Sequence, residues 1–250
     1  MSAVGTTSSV SAQPGTLVSL AALYRLMLRT QVSAARLLGI GALSALAILI
    51  GALAAFDDNP AQAAADAVSG YGLGILVPLA TVWFGTSAVG DLVEDKLLVY
   101  VWLRPVSRWQ LPAAALLATL TLVVPLTAIP LTLSALIAGA GDVAWATFLA
   151  AALAALAYSG LFVAAGIWFR RAVWWGLAFV LIWENVVANE AKGSAQWTVV
   201  GWASSILGLA PGISVDLEPG SAAVAFVVLP AIAVAGWLAA TWRYRRMDID

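Results

Sequence analysis

Six stretches of the chain are apolar almost without interruption: residues 37–56, 71–90, 111–138, 143–169, 172–189 and 222–242. Each approaches or exceeds the roughly 20 residues that a helix needs to cross a bilayer core of about 30 Å. None alternates apolar and polar positions; residues 150–157 are only alanine and leucine. That excludes a membrane β-barrel, whose strands need a period of two. Helices that satisfy their own backbone are the expected solution. The predicted fold class is an all-α membrane protein with six transmembrane helices, forming one domain over residues 17–250.

The segments between these runs divide by charge. Arg25, Arg29 and Arg36 precede the first run, and Lys96, Arg104 and Arg108 lie between the second and third. Arg170 and Arg171 join the fourth to the fifth, and Arg243, Arg245 and Arg246 follow the sixth. Lys192 alone among the basic residues falls on the other side, with Asp57, Asp58, Asp66, Asp142, Glu190, Asp216 and Glu218. Basic residues mark the cytoplasmic side, so both termini are expected there. Ala52-Leu53-Ala54 resembles a signal-peptidase site, but the apolar run before it is too long and starts too late for a leader.

Three segments are not expected to cross. Residues 1–16 are rich in Ser, Thr, Gly and Ala and read as a disordered tail. In residues 17–36 the arginines recur at helical spacing opposite Leu17, Leu20, Tyr24, Met27 and Leu28. This predicts an amphipathic helix along the cytoplasmic membrane surface; the alternative is a cytoplasmic extension of the first span. Residues 197–210 are apolar but too short to cross. They form either a re-entrant outer loop before the last helix or an interfacial helix anchored by Trp197 and Trp202.

Composition agrees and removes much chemistry. The apolar set is 62% of 250 residues and the charged set 10%, against about a quarter charged in soluble domains. There is no cysteine and no histidine, so thiol catalysis, iron–sulfur ligation and a Ser-His-Asp triad are excluded. A net charge of −1 provides no footprint for nucleic acid. Neither Lys96 nor Lys192 follows a glycine, so there is no phosphate-binding P-loop. No catalytic residue, metal site or cofactor site is expected; Asp57-Asp58 beside Pro60 reads as a solvated turn rather than a metal site. Of the twelve tryptophans, Trp83, Trp102, Trp109, Trp168, Trp174, Trp175, Trp237 and Trp242 mostly lie near run ends, as belt anchors do.

One acid stands inside a run. Counting from Arg171 at about 1.5 Å per residue puts Glu184 about 20 Å from the cytoplasmic surface. With Asn185 and Asn189 it is a candidate for a substrate path, since an intramembrane acid is a functional-site hypothesis by default. It has two other readings: a residue at a wet outer boundary, or an anchor that hydrogen-bonds the following loop.

The loop between the second and third runs is the most informative. Asp91, Glu94 and Asp95 share one helical face, a hydrophobic stretch follows over 97–103, and Arg104-Pro105-Val106-Ser107-Arg108 turns the chain back. This loop resembles that of type-2 ABC exporter permeases, where an acidic span end, a hydrophobic stretch and a Pro-Val-Ser-Arg-like turn recur. Leu97-Leu98 stands where that family often has Gly-Thr, and residues 113–117 lack its common lysine. The wider plan is similar too: surface helix, six spans, half-inserted loop. The resemblance implies an exporting permease in the cytoplasmic (plasma) membrane of a prokaryote, and the few polar groups in the spans favour an apolar or amphipathic substrate. It further implies a second permease copy or similar permease, contact with membrane lipid, and separate nucleotide-binding ATPase subunits that carry the ATP and Mg. Asp91, Glu94, Asp95, Arg104 and Arg108 would then couple the permease to its ATPase. The competing classes are an ion-coupled secondary carrier, an intramembrane enzyme acting on lipid and a structural subunit.

Overall fold

The computed structural model describes residues 16–94, 107–187, 197–215 and 220–247, with backbone alone at 91–94 and 185–187. The described residues form helices and no strands. In chain order α1 is Thr16–Gln31, α2 Ala34–Ala54, α4 Gln110–Ile137, α5 Gly141–Trp168, α7 Val199–Leu207 and α8 Ala222–Arg245. Helix α3 is continuous through Pro60–Ala67, a π-helical stretch Val68–Leu76, and Val77–Glu94. Helix α6 joins Ala172–Phe179 to a π-helical Val180–Val187. Five helices are long and apolar enough to span a membrane: α2, α3 over Pro60–Gly90, α4, α5 and α8. The chain is therefore of the multi-pass membrane type.

Most expected runs return with small shifts. The second begins earlier than expected, at Pro60 instead of 71, because Asn59 caps the helix and accepts from the Gln62 amide. The supposed loop residue Asp66 is thus helical and accepts from the Gln62 side chain at 2.8 Å. The fifth run is shorter than a full crossing, two eight-residue stretches rising at most about 24 Å within the described residues. The tail residue Thr16 is already in α1; residues 1–15 lie outside the described residues.

Segment 17–36 is broken, not continuous. Ser33 is extended and its hydroxyl oxygen accepts from the Arg36 amide, which starts a new helix. In α1 the buried residues are Leu23, Met27 and Gln31, with Leu20, Tyr24 and Leu28 half-buried and Arg25 and Arg29 exposed. Leu17 departs from the expected apolar face and stands exposed. Polar pairs fasten α1 to α4: Ser19 Oγ to Gln110 Oε1 at 3.1 Å, and Tyr24 Oη to Thr121 Oγ1 at 3.0 Å.

Contacts fix the helix directions. Gly85 faces Phe162 and Gly90 faces Gly166, so α3 and α5 run the same way. Gly160 meets Ala233, and Trp168 Nε1 donates to Ala239 O at 3.4 Å, so α5 and α8 also run together. Ser44 reaches Leu126 and Gly51 faces Ser134, so α2 runs with α4. Arg25, Arg29, Arg36, Arg108, Arg170, Arg171, Arg243, Arg245 and Arg246 consequently share one end of the bundle. Because α5 and α8 are parallel, the chain from Trp168 to Ala222 has to return to the opposite end, and α6 begins that return.

Helix α5 is the hub, packing on α3, α4, α7 and α8. Lipid leaves little hydrophobic drive between spans, so close van der Waals packing of small residues has to hold them. A Cβ on Gly160 would stand 2.6 Å from Ala233 Cα, and one on Gly166 2.5 Å from the Thr86 carbonyl oxygen. Backbone lies on backbone there. Proline creates a second kind of joint. Pro130 has no N–H for the Leu126 carbonyl one turn back, and Ser44 Oγ of α2 donates to that carbonyl at 2.5 Å. Tight turns close both ends: Gly139 takes φ +78° between α4 and α5, and Arg171 takes φ 59° between α5 and α6.

Candidate functional site

The sequence-predicted residues fall at two places. The first is the joint between α6 and α7. Glu184 is 3% exposed, which overturns the reading that it sits at a wet boundary. Its Oε1 accepts from the Val199 amide and its Oε2 from the Val200 amide, each at 3.2 Å. Thr198 caps the same helix, its Oγ1 accepting from the Gly201 amide at 3.0 Å. The leading amides of α7, which have no partner within the helix, are thus held by side chains, and a carboxylate meets the positive end of the helix dipole. Trp183 Nε1 adds a bond to Trp197 O at 3.2 Å. The wholly buried Tyr158 hydroxyl of α5 lies beside the carboxylate, outside hydrogen-bond geometry.

Helix α7 itself is almost wholly buried against α5 and α8. The chain leaving it is tied to the start of α3: Gln62 Nε2 donates to Ser214 O at 2.7 Å, and the Ser214 amide donates back to Gln62 Oε1 at 3.0 Å. A cleft of about 380 Å³ opens beside the joint, lined by Trp197, Thr198, Trp202, Val228 and Ile232. Glu184 is therefore an anchor whose two oxygens are already engaged. Asn185 continues the π-helical stretch, with only its backbone described, and Asn189 lies outside the described residues.

The second place is the arginine end. Asp91 and Glu94 occupy the last turn of α3, again as backbone alone. Asp95 and Arg104 lie outside the described residues. Arg108 Nη1 donates to Arg245 O at 2.5 Å, so the residue just before α4 holds the last turn of α8. The free carbonyls of a helix C-terminus suit a cation. Trp168 stacks on Trp242 at 5.8 Å, and the Arg246 guanidinium lies 4.2 Å from the Trp242 ring.

Sequence reasoning singled out Glu184 but not its partners. The Thr198 signal was present, a capping residue directly before an apolar run. Tyr158, Gln62 and the Arg245 carbonyl carry no such local mark, because only packing brings them to their partners. Among the described residues no group of three acidic, histidine or cysteine side chains is gathered to hold a metal. Neither a protein-family model nor a curated protein sequence matches the chain.

Proposed function

We propose that the chain is the permease subunit of an ATP-driven type-2 ABC exporter, with six crossings and both termini in the cytoplasm. The arginine end is then the cytoplasmic end, and the parallel course of α5 and α8 supports a sixth crossing begun by α6. Helix α1 with its exposed arginines is the elbow at the cytoplasmic surface, and the buried α7 is the half-inserted outer element. The substrate is apolar or amphipathic, since the described spans offer few polar groups to a path.

One observation carries the coupling role. Three helix links lie at the arginine end, and the one between α1 and α2 is only residues 32–33. The α5–α6 link is only residues 169–171, whereas the α3–α4 link runs over 95–109. Its final residues are gripped to α8 through Arg108. A long link rooted in the buried α3 and pinned to the last helix is suited to pass motion from an outside motor into the bundle. The acids Asp91, Glu94 and Asp95, with Arg104, set its register on a separate ATPase. A carrier role is weakened by Glu184, whose carboxylate is committed to two amides.

The test is purification of the tagged chain from its native membrane. A Walker-motif ATPase is expected to accompany it, and an Asp91→Lys, Glu94→Lys, Asp95→Lys variant is expected to lose that partner while keeping its elution profile. Transport by the isolated chain in liposomes without ATP would overturn the proposal.

A further inference from the structure

Helix α3 changes its hydrogen-bonding pattern midway. Over Val68–Leu76 it is π-helical, and the Val77 amide closes the stretch on the Gly72 carbonyl, five residues back. Such stretches collect at functional sites, and helix kinks collect at them, at glycine and at proline. All three meet here. Gly70, Gly72 and Gly74 alternate through the stretch, and Pro78 stands two residues past it. Glycine weakens a helix, and proline withholds an N–H from the turn before it. Thr81 Oγ1 donates to both the Val77 and the Pro78 carbonyl at 2.8 Å, back-bonding of the kind that bends helices.

The two arms that meet at this joint are held unequally. The inner arm, Val77–Glu94, is pressed onto α5. A Cβ on its Gly85 would stand 3.0 Å from Phe162 Cβ, and its Thr86 carbonyl oxygen lies 2.5 Å from where a Cβ on Gly166 would be. The outer arm, Pro60–Ala67, is eight residues, mostly alanine, of which Ala64 and Ala65 are buried. Among the described residues, the side-chain bonds that leave this arm for another element run from Gln62 to Ser214. The joint itself is seated. Tyr71 Oη donates to Leu43 O of α2 at 2.8 Å, a Cβ on Gly72 would meet Leu131 of α4 at 2.6 Å, and the stretch packs on α7. A seated joint between a fixed arm and a lightly held one has the form of a hinge.

We propose that α3 is a jointed helix. Its outer arm tilts about Val68–Pro78 between two positions, while its inner arm stays fixed on α5. Through Gln62 the tilt reaches the chain that leaves α7. The moving part of the bundle is then the end opposite the arginines. The joint is a property of this chain alone and does not depend on any ATPase partner.

The chain has no cysteine, so paired nitroxide labels can be placed without other changes. The experiment measures distance distributions by pulsed electron resonance on the purified full chain in phosphatidylcholine nanodiscs. Asp142→Cys, exposed in the first turn of α5, is the reference. Paired with Asp66→Cys on the outer arm, it is expected to give a broad or two-peaked distribution. Paired with Trp83→Cys on the inner arm, it is expected to give a single narrow one. A Gly70→Ala, Pro78→Ala background, which restores helix propensity and a backbone N–H at the joint, is expected to narrow the outer distribution to the width of the inner one. Gly41→Ala in α2 is the control, since a Cβ there, as at Gly70, meets nothing within 4 Å; it is expected to leave the outer distribution broad. Should the double variant fold poorly, Gly70→Ala alone decides. Equal widths for the two pairs, an outer distribution that the joint variants leave unchanged, or equal narrowing by Gly41→Ala would overturn the joint.

Discussion

Helices α5 and α6 are both strongly apolar, yet they occupy opposite situations. Helix α5 is the buried hub, and beside Tyr158, Phe162 and Ile167 its buried positions include Ala146, Ala150, Ala154, Ala157, Gly160 and Gly166. Helix α6 lies outside and turns Trp174, Trp175, Leu181 and Ile182 away from the protein. In water the larger side chains would be driven inward. In lipid that drive is missing, and the small residues go inside because they let backbones touch. Small residues at the helix contacts are what admit α5 to the interior, where large side chains such as Tyr158 and Phe84 fill the remaining space. The two helices are also secured differently. Helix α5 is held along its length by packing, whereas α6 is pinned near one end by the Glu184 carboxylate.

Changes along α5 should have the largest effect. Gly160→Leu inserts a side chain where even a Cβ meets Ala233 at 2.6 Å. A cost above about 3 kcal/mol is expected, at the upper end of overpacking penalties. Aggregation or loss of the monodisperse peak in fluorescence-detected gel filtration would show it, and an unchanged profile would refute the close seam between α5 and α8. Breaking the tether of α6 should come next. Glu184→Ala strands two buried amides and is expected to cost about 2–3 kcal/mol. Glu184→Gln keeps one acceptor and is expected to cost about half that. Thermal unfolding in detergent orders the two, and equal effects would mean that charge at the helix end matters less than argued.

Smaller effects belong to single polar bonds. Ser44→Ala leaves the Leu126 carbonyl, already deprived by Pro130, without its donor from α2. A loss of about 1 kcal/mol is expected. Substituting Pro130 by Ala in the same background should recover part of it, because the helix then supplies its own donor. Gln62→Leu removes all three bonds to Ser214. Since the site is exposed, about 0.5–1 kcal/mol is expected, together with faster proteolysis after residue 208. The smallest effect should come from Trp174→Leu on outward-facing α6. Below about 0.5 kcal/mol is expected in the isolated chain, so a large loss would show that this face is covered by protein.

Much of this molecule was legible before any coordinates. The lengths of α2, α4, α5 and α8 followed from uninterrupted apolar runs, since each is near the thickness of a bilayer. Segregation of arginines to one end followed from their places between those runs. Glu184 stood out as the lone acid within one. The earlier start of α3 at Pro60 was readable from Asn59 and proline chemistry, but alanine-rich residues 61–67 resemble a loop when hydropathy alone is weighed. The break at Ser33 was hidden for a similar reason, since a capping hydroxyl is also an ordinary residue of an amphipathic helix.

A helical, lipid-adapted and charge-asymmetric chain follows from residue order alone. Those properties are local, set by run length, composition and order along the chain. Packing in three dimensions settled which apolar helix became the hub, buried α7, and set Glu184 as its cap. It also brought Arg108 to the end of α8. In a chain where nearly every helix is apolar, hydropathy cannot distinguish one neighbour from another. Partners are then chosen by backbone proximity at small residues and by a few polar groups that must find each other across the bundle.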